Sequence, residues 1–350
     1  MNNTFIVSVT DRILVTGSNG FIGAQVVKTL LEYGFANLRC FVRPSSKLET
    51  LKSVLGRCYG QREVEFVTGD LQYREDCRKA VEGASVVIHL AAGFEKSYAG
   101  AFMNSALATR NLLDAVLEDG QVKRFVNVSS FAVYSNLGLR RGALLEESCP
   151  LEDLPQERND AYGFGKLKQE RLVREYGDKY ALPYVILRPG AVFGPGNKAV
   201  SGRVGIETFG FFLHLGGSNE LPLTYVDNCA EAIVLAGLKQ GVDGEVLNVV
   251  DDDLLTSRQF FRAYKKAVRP RFSLGLPYAI TFVFCAAWEW YSKWSKCQLP
   301  PAFNRRRCSA EWKGNRYTNR KLKAKLGWTP RVPMNRAMEL FLEQFKSRST

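Results

Sequence analysis

The chain has 350 residues, 46% of them apolar and 24% charged, enough to bury the core of one large or two smaller α/β units and unlike a disordered chain. Its formal charge of +13 suits an anionic ligand, an acidic membrane surface or nucleic acid. Eight scattered cysteines without a C-x-x-C pair, and only two histidines, give poor material for a zinc site and no disulfide framework, so no metal and a reducing, cytoplasmic setting are expected.

The amino terminus, MNNTFIVSVTDRILV, has no basic stretch followed by a long apolar run, so no signal peptide is expected. RILVTG (12–17) reads as the first strand, and TGSNGFIG (16–23) turns from it into a helix over 21–33. Gly17, Gly20 and Gly23 would allow a tight turn, close approach of a pyrophosphate and helix-on-strand packing, with Asn19, Phe21 and Ile22 as further cofactor contacts. The helix amino terminus would then face the phosphates with free N–H groups.

NLRCFVR (37–43) is the second strand. In dinucleotide-binding folds this strand usually ends in an acid that binds the ribose of NAD. Here no Asp or Glu lies between Ala36 and Leu48. Arg43, with Ser45, Ser46 or Lys47, could instead hold the 2′-phosphate of NADP, so NADP is preferred over NAD. Strands over 64–70, 85–92, 124–130 and 184–190, with helices over 47–57, 74–82, 99–119 and 161–181 between them, predict an α/β, doubly wound parallel sheet covered on both faces.

RFVNVSS (124–130) brings Ser130 to the end of the fifth strand, and AYGFGKLKQE (161–170) sets Tyr162 and Lys166 one helical turn apart. A cation beside a phenol favours its ionised form, so Lys166 is expected to lower the Tyr162 pKa towards neutrality. From about residue 191 the rhythm changes. Glycines cluster in GPGNKAVSGRVG, and EVLNVVD (245–251) reads as a late strand. The expected division is a nucleotide-binding domain over 10–190, to which the late strand returns, and a smaller, interleaved C-terminal substrate lobe over 191–345.

Within that lobe, residues 274–288 carry no charge, but fifteen residues interrupted by Pro277 fall short of the ~20 that a membrane-spanning helix needs. Residues 303–325 hold nine Lys or Arg against one Glu. The two features together allow peripheral contact of the apolar segment 274–294 and the basic segment 303–325 with an anionic membrane. The preferred reading is that the apolar segment closes the substrate pocket and the basic run is solvated. Nucleic acid is disfavoured, since no reading motif accompanies the charge.

TGxxGxxG at 16–23, GDL at 69–71, HLAA at 89–92, NVSSFAVY at 127–134, the Y-x-x-x-K of Tyr162 and Lys166, RPGAVFGPG at 188–196, YVDNCAEA at 225–232 and LGWTP at 326–330 occur together and in order. With them the chain, from about Arg12 to Trp328, resembles the extended short-chain dehydrogenase/reductases, or NAD-dependent epimerase/dehydratase family, whose nucleotide domain is a Rossmann fold. The nearer likeness is to the hydroxysteroid dehydrogenase and dihydroflavonol-reductase-like branch. The resemblance implies that Asp70 and Leu71 lie beside the adenine, that Leu90, Ala91 and Ala92 line the cofactor, and that Pro189 touches the nicotinamide side. It also implies that Ser130, Tyr162 and Lys166 are catalytic, with Lys166 bonded to the nicotinamide ribose. Asn104 matches a family asparagine, with helix-end packing an equal expectation, and His89 is expected to be packed rather than catalytic.

The expected activity is an NAD(P)-dependent oxidoreductase acting on a ketone or secondary alcohol of a fairly apolar small molecule. The alternatives are a nucleotide-sugar 4-epimerase or keto-sugar reductase, in which Arg203 could meet a diphosphate, and a binding protein that senses NAD(P). Intact Ser130, Tyr162 and Lys166 argue against the sensor. Dehydration is disfavoured, because Ser129-Ser130-Phe131 stands where sugar-nucleotide dehydratases of the family carry Thr-Asp-Glu. The helices over 99–119 and 161–181 could support a homodimer.

Overall fold

The computed structural model describes residues 5–58, 64–93, 97–197, 200–208, 211–268 and 272–346. Lys198 and Ala199 of the glycine-rich stretch and the first four residues of the amino terminus therefore lie outside the described residues. In the first half, strands and helices alternate: β1 (Arg12–Thr16), α1 (Phe21–Glu32), β2 (Leu38–Val42), α2 (Glu49–Cys58), β3 (Glu65–Thr68), α3 (Arg74–Val81) and β4 (Ala84–His89). A helical run follows, made of α4 (Tyr98–Ala101), a π-helical segment Phe102–Leu107 and α5 (Ala108–Asp119). Then come β5 (Arg124–Val128), the short β6 (Leu144–Leu145), α6 (Ala161–Tyr180) and β7 (Tyr184–Pro189).

The later elements are β8 (Ala191–Phe193), β9 (Gly205–Thr208), β10 (Phe211–His214), β11 (Leu223–Tyr225), α7 (Val226–Leu238), β12 (Val246–Val249) and α8 (Ser257–Val268). They end with β13 (Ser273–Gly275), α9 (Tyr278–Trp294), α10 (Arg305–Trp312), β14 (Arg316–Tyr317), α11 (Arg320–Leu326) and α12 (Met334–Lys346).

The main sheet has seven strands in the order β12-β7-β5-β4-β1-β2-β3, all paired in parallel. Strands β2, β5, β7 and β12 are buried throughout and β4 at every position but Ser85, which is why they read as continuous β-branched and apolar runs. Val26, Val27 and Leu30 of α1, Ile233 and Leu235 of α7, and Leu322 and Trp328 cover one face. Cys77 and Ala80 of α3, Leu112 and Val116 of α5, and Val173 and Tyr176 of α6 cover the other. This is the doubly wound α/β sheet expected from the sequence.

The strand order reverses between β1 and β4, so a crevice opens at their carboxyl ends. Past β7, the chain builds smaller sheets, β13-β10-β9, β11-β8 and β14-β6. A further core gathers Phe193, Phe212, Leu223 and Tyr225 with Phe260 and Phe261 of α8 and Met338 and Phe341 of α12. Phe21 and Ile22 at the start of α1 pack against this core, which sets it beside the crevice.

Candidate active site

The glycine turn sits against the end of β4. Gly17 has φ +69°, and a Cβ there would lie 3.0 Å from Ala91 N; at Gly23 a Cβ would lie 2.1 Å from Gly17 O. Both positions therefore need glycine, the first for its backbone conformation and the second for close approach. Ser18 Oγ ties the turn to Phe41 O of β2, while Leu90 N and Ala91 N donate to Thr16 O and Thr16 Oγ1. Gly20 caps α1 without a side-chain hydrogen bond, and among the described residues no side chain satisfies the first turn, leaving its N–H groups and partial positive charge at the crevice. Asn19, Phe21 and Ile22 are half-buried beside it, and the half-buried Leu90, Ala91 and Ala92 continue from β4 on the opposite wall.

Arg43 is exposed immediately after β2, in a turn closed by Ser46 N to Arg43 O and by Arg43 N to Ser46 Oγ. Asp70 follows β3 and accepts from Gln72 N through Oδ1, and Leu71 is buried in the second core. Pro189 ends β7, buried and paired in register with Val249 of β12. The structure thus gathers these residues around the carboxyl ends of β1, β2, β3, β4 and β7.

Ser130 follows β5 and caps the short 3-10 turn Phe131–Val133, its Oγ accepting from Ala132 N at 3.2 Å. Tyr162 lies in the first turn of α6, which Asp160 caps by accepting Gly163 N at 2.8 Å. The two glycines flanking Phe164 are packing requirements: a Cβ at 163 would meet the Arg158 guanidinium at 2.4 Å, and one at 165 would meet Ser105 Oγ at 3.0 Å. Ser130 and Tyr162 share a cavity of about 410 Å³ with Phe131, Arg158, Arg203, Arg307 and Glu311.

Lys166, one turn below Tyr162, is buried and donates to Val128 O at 2.6 Å. Its Nζ stands 6.0 Å from the centre of the Tyr162 ring. Burial pushes its pKa down to about 7, with the charge of Glu170 pulling it back up. Burial also dominates at Tyr162, pushing the phenol up to about 12, although a hydrogen bond from Ser130 acts the other way and the Asp160 charge adds to the rise. The expected fall of the Tyr162 pKa towards neutrality is therefore not found. Desolvation outweighs the help of a lysine whose proton is directed at a backbone carbonyl.

Behind these residues lies a buried network that no motif reading had singled out. Arg188 of β7 pairs with Glu170 through Nη2–Oε2 at 2.7 Å and Nε–Oε1 at 2.9 Å, and it donates to Tyr134 Oη at 3.0 Å. Tyr134 in turn donates to Asn248 Oδ1, and Ser129 Oγ donates to Glu170 Oε1 at 2.6 Å. The network clamps α6, the end of β5, β7 and β12 together, and so fixes the depth at which Lys166 sits. Arg188 belongs to the RPG run, but its partner Glu170 is 18 positions away with no spacing to announce it.

His89 is packed as expected, with Nδ1 on Thr16 Oγ1 at 2.8 Å and Nε2 on Thr109 Oγ1 at 2.9 Å. Burial, with the Lys166 charge, pushes its pKa down to about 3. Asn104 lies in the π-helical segment and accepts from Gln72 Nε2 at 2.8 Å.

The apolar segment 274–294 does not close the cavity. Its wall on that side is Arg307, Ala310 and Glu311 of α10, and α9 contributes none of its lining. Nor is the basic run simply solvated: Lys321 and Lys325 pair with Glu245, and Lys323 with Asp252. Lys313 Nζ donates to the carbonyls of Asn136, Leu137 and Leu139. Among the described residues, no helix is long and apolar enough to cross a membrane.

The family described as NAD dependent epimerase/dehydratase matches residues 13–249. The chain is 30% identical over 252 residues to 3beta-hydroxysteroid-dehydrogenase/decarboxylase isoform 1 of Arabidopsis thaliana, covering 69% of this chain and 56% of that one. Its identity to the sterol-4-alpha-carboxylate 3-dehydrogenase, decarboxylating, of Mus musculus is 22%, over 97% of this chain and 92% of the other. The UDP-glucose 4-epimerase of Thermus thermophilus, solved in complex with NAD, has a similar fold, with a TM-score of 0.68 at 22% identity over 96% of this chain and 99% of that one. The chain spans about half the length of the first curated relatives it matches, 56% and 42% of the two Arabidopsis thaliana proteins.

Proposed function

The chain belongs to the NAD-dependent epimerase/dehydratase family, and from that membership we propose that it exchanges a hydride between a nicotinamide cofactor and a ketone or secondary alcohol on a largely apolar, steroid- or flavonoid-like substrate. The observation that carries the proposal is the shared cavity of Ser130 and Tyr162, with Lys166 buried one turn beneath. Two relatives whose names describe hydroxysteroid or sterol-carboxylate substrates support the apolar class. Phe131, Ala132, Ala191 and Ala310 supply apolar wall, while Arg203 and Arg307 suit an acidic group on the same molecule.

The residues present fit a dinucleotide: Gly17 and Gly23 hold the tight turn that brings the α1 amino terminus to the crevice, and the absence of a side-chain cap on Gly20 leaves that terminus suited to a pyrophosphate. Arg43 would hold a 2′-phosphate, favouring NADP, and Asp70, Leu71, Leu90, Ala91, Ala92 and Pro189 would line the remainder. When bound, the nicotinamide supplies or takes up the hydride.

Tyr162 Oη gives its proton to the substrate oxygen during reduction and takes it back during oxidation. Ser130 Oγ donates a hydrogen bond to that oxygen and holds it beside the phenol. A protonated Lys166 stabilises the phenolate left behind. With its pKa pushed up to about 12 by burial, Tyr162 carries its proton at neutral pH and can act as the acid.

The test is to inspect the purified protein for bound nucleotide, then supply NADPH or NADH with ketosteroids, flavonoid-like ketones and keto-sugar nucleotides. Net loss of reduced nicotinamide with an apolar ketone supports the reading. A second reading, nucleotide-sugar epimerisation, is favoured by Arg203 and Arg307, which could face a diphosphate. Retained NAD and sugar inversion without net redox change would establish it instead.

A further inference from the structure

Helix α9 packs Tyr278, Phe282 and Cys285 on the protein yet leaves a second apolar face to solvent. Its large side chains Ile280, Val283, Phe284, Trp290, Tyr291 and Trp294 are exposed, with Val283 and Trp290 at 67% and Trp294 at 69%. Positions 280, 283, 284, 287, 290, 291 and 294 follow helical spacing and form one outward stripe. The inward face carries the small and polar Thr281, Cys285 and Ser292, with Thr281 Oγ1 donating to Pro277 O and Ser292 Oγ to Leu299 O. Phe272 and Leu274 before the helix, and Leu299 after it, are also exposed.

Basic side chains border this apolar surface. Lys293 lies within the stripe's last turn, the exposed Lys296 follows it, and Lys265 donates to Ser273 between Phe272 and Leu274. Arg305 approaches from α10 and, with Lys293, shares the single carboxylate Glu289. From Phe272 to Arg305 the chain carries three basic residues, Lys293, Lys296 and Arg305, and one acidic residue, Glu289.

We propose that the α9 stripe docks on the interfacial layer of an anionic lipid bilayer, lying in the plane of the surface. Tryptophan and tyrosine at 290, 291 and 294 suit that layer, since each has an apolar body and a polar edge, and the bordering amines meet anionic headgroups. A second copy of the chain covers the stripe less well. A self-pairing of α9 would bring the bordering cations of two chains, each of net charge +13, against one another. Helix α10, which packs on α9, forms part of the wall of the Ser130–Tyr162 cavity, so docking would bring that cavity close to the bilayer. The proposal does not depend on the reaction assigned to that cavity.

The test uses the full chain and vesicles of phosphatidylcholine, with and without about 30% phosphatidylserine. Co-sedimentation should be roughly tenfold stronger with the anionic vesicles, and brominated lipids should quench tryptophan fluorescence. The double variant Trp290→Ser/Trp294→Ser, altered only at exposed positions, should lose both signals while keeping the wild-type melting temperature. Absence of binding, equal binding to both vesicles, or unchanged binding by the variant overturns the proposal. So does a solution dimer that the double variant dissociates, which would make a second copy the occupant.

Discussion

Ser129 and Ser130 are adjacent in the chain, yet their hydroxyls serve opposite sides of the β5 terminus. Ser129 Oγ donates inward to Glu170 at 2.6 Å, whereas Ser130 lines the cavity with Tyr162. Both lie just past β5: Ser129 is still held to β7 through its N–H on Leu187 O, while Ser130 already caps the Phe131–Val133 turn.

The first prediction separates the two. Ser130→Ala should lower kcat by about 10- to 1000-fold, as loss of a donor to a developing oxyanion does, with little change in Tm. Ser129→Ala should cost about 1–3 kcal/mol of stability, because Glu170 loses a buried partner, and should affect kcat less. Steady-state kinetics and thermal melts of both variants make the comparison, and equal kinetic defects would refute the assignment.

Tyr162→Phe should reduce turnover at least about 100-fold while cofactor affinity, read by nucleotide titration, stays within a few-fold. The pH dependence adds a second readout. Alcohol oxidation needs the phenolate, and a pKa near 12 puts neutral pH far below it. The phenolate fraction rises with pH, while the protonated Lys166 that stabilises it falls above about 7. The oxidation rate should therefore rise with pH up to about 7 and level off above it, and residual turnover in Tyr162→Phe should lack that rise.

Lys166 gives a stability prediction with a definite sign. Burial lowers its pKa from 10.5 to about 7, so the unfolded chain binds more protons there than the folded chain between those values. Its relative stabilisation is fully present above the unfolded pKa and is lost as pH falls through the folded one. Urea midpoints of wild type against Lys166→Met should consequently shift in favour of wild type as pH rises from about 7 towards 10.5. A gap that stays constant over that range would show that the amine is not desolvated as described.

Arg43→Ala should weaken NADPH binding by about 10- to 100-fold and leave NADH nearly unchanged, since a charge-assisted contact to phosphate is lost from one cofactor only. Fluorescence titration with each nucleotide measures it. Equal losses would remove the 2′-phosphate role of Arg43.

The glycine turn, the succession of strands and helices up to β7 and the Tyr162–Lys166 pair were legible because each depends on local chain geometry. Gly17 and Gly23 declare a turn and a close approach, and a four-residue spacing declares one helix face. The Glu170–Arg188 pair was not legible, because it joins α6 to β7 through space and both residues look like ordinary surface charges in the sequence. Arg307 and Glu311 were hidden for a similar reason: they reach the cavity from α10, more than a hundred residues after Ser130. The α9 segment misled for a different reason. Its composition is the same whether its aromatic side chains face a pocket or solvent, and only the positions of Thr281 and Ser292 on the packed face decide between them. The pKa of Tyr162 was misjudged because charge proximity is visible in a sequence while desolvation is not.

The covering of the first sheet face has a consequence for how the chain must be made. Helix α7 and the Leu322–Trp328 segment, which complete the cover of that face, and strand β12, which pairs beside β7, all follow residue 225. A ribosome that has released residues 1–190 has delivered the glycine turn, Ser130, Tyr162 and Lys166, but only the α1 part of the layer on which their strands rest. Nascent chains of that length should leave Val15, Val128 and Leu187 uncovered, and a competent nucleotide crevice should appear only when synthesis is nearly finished.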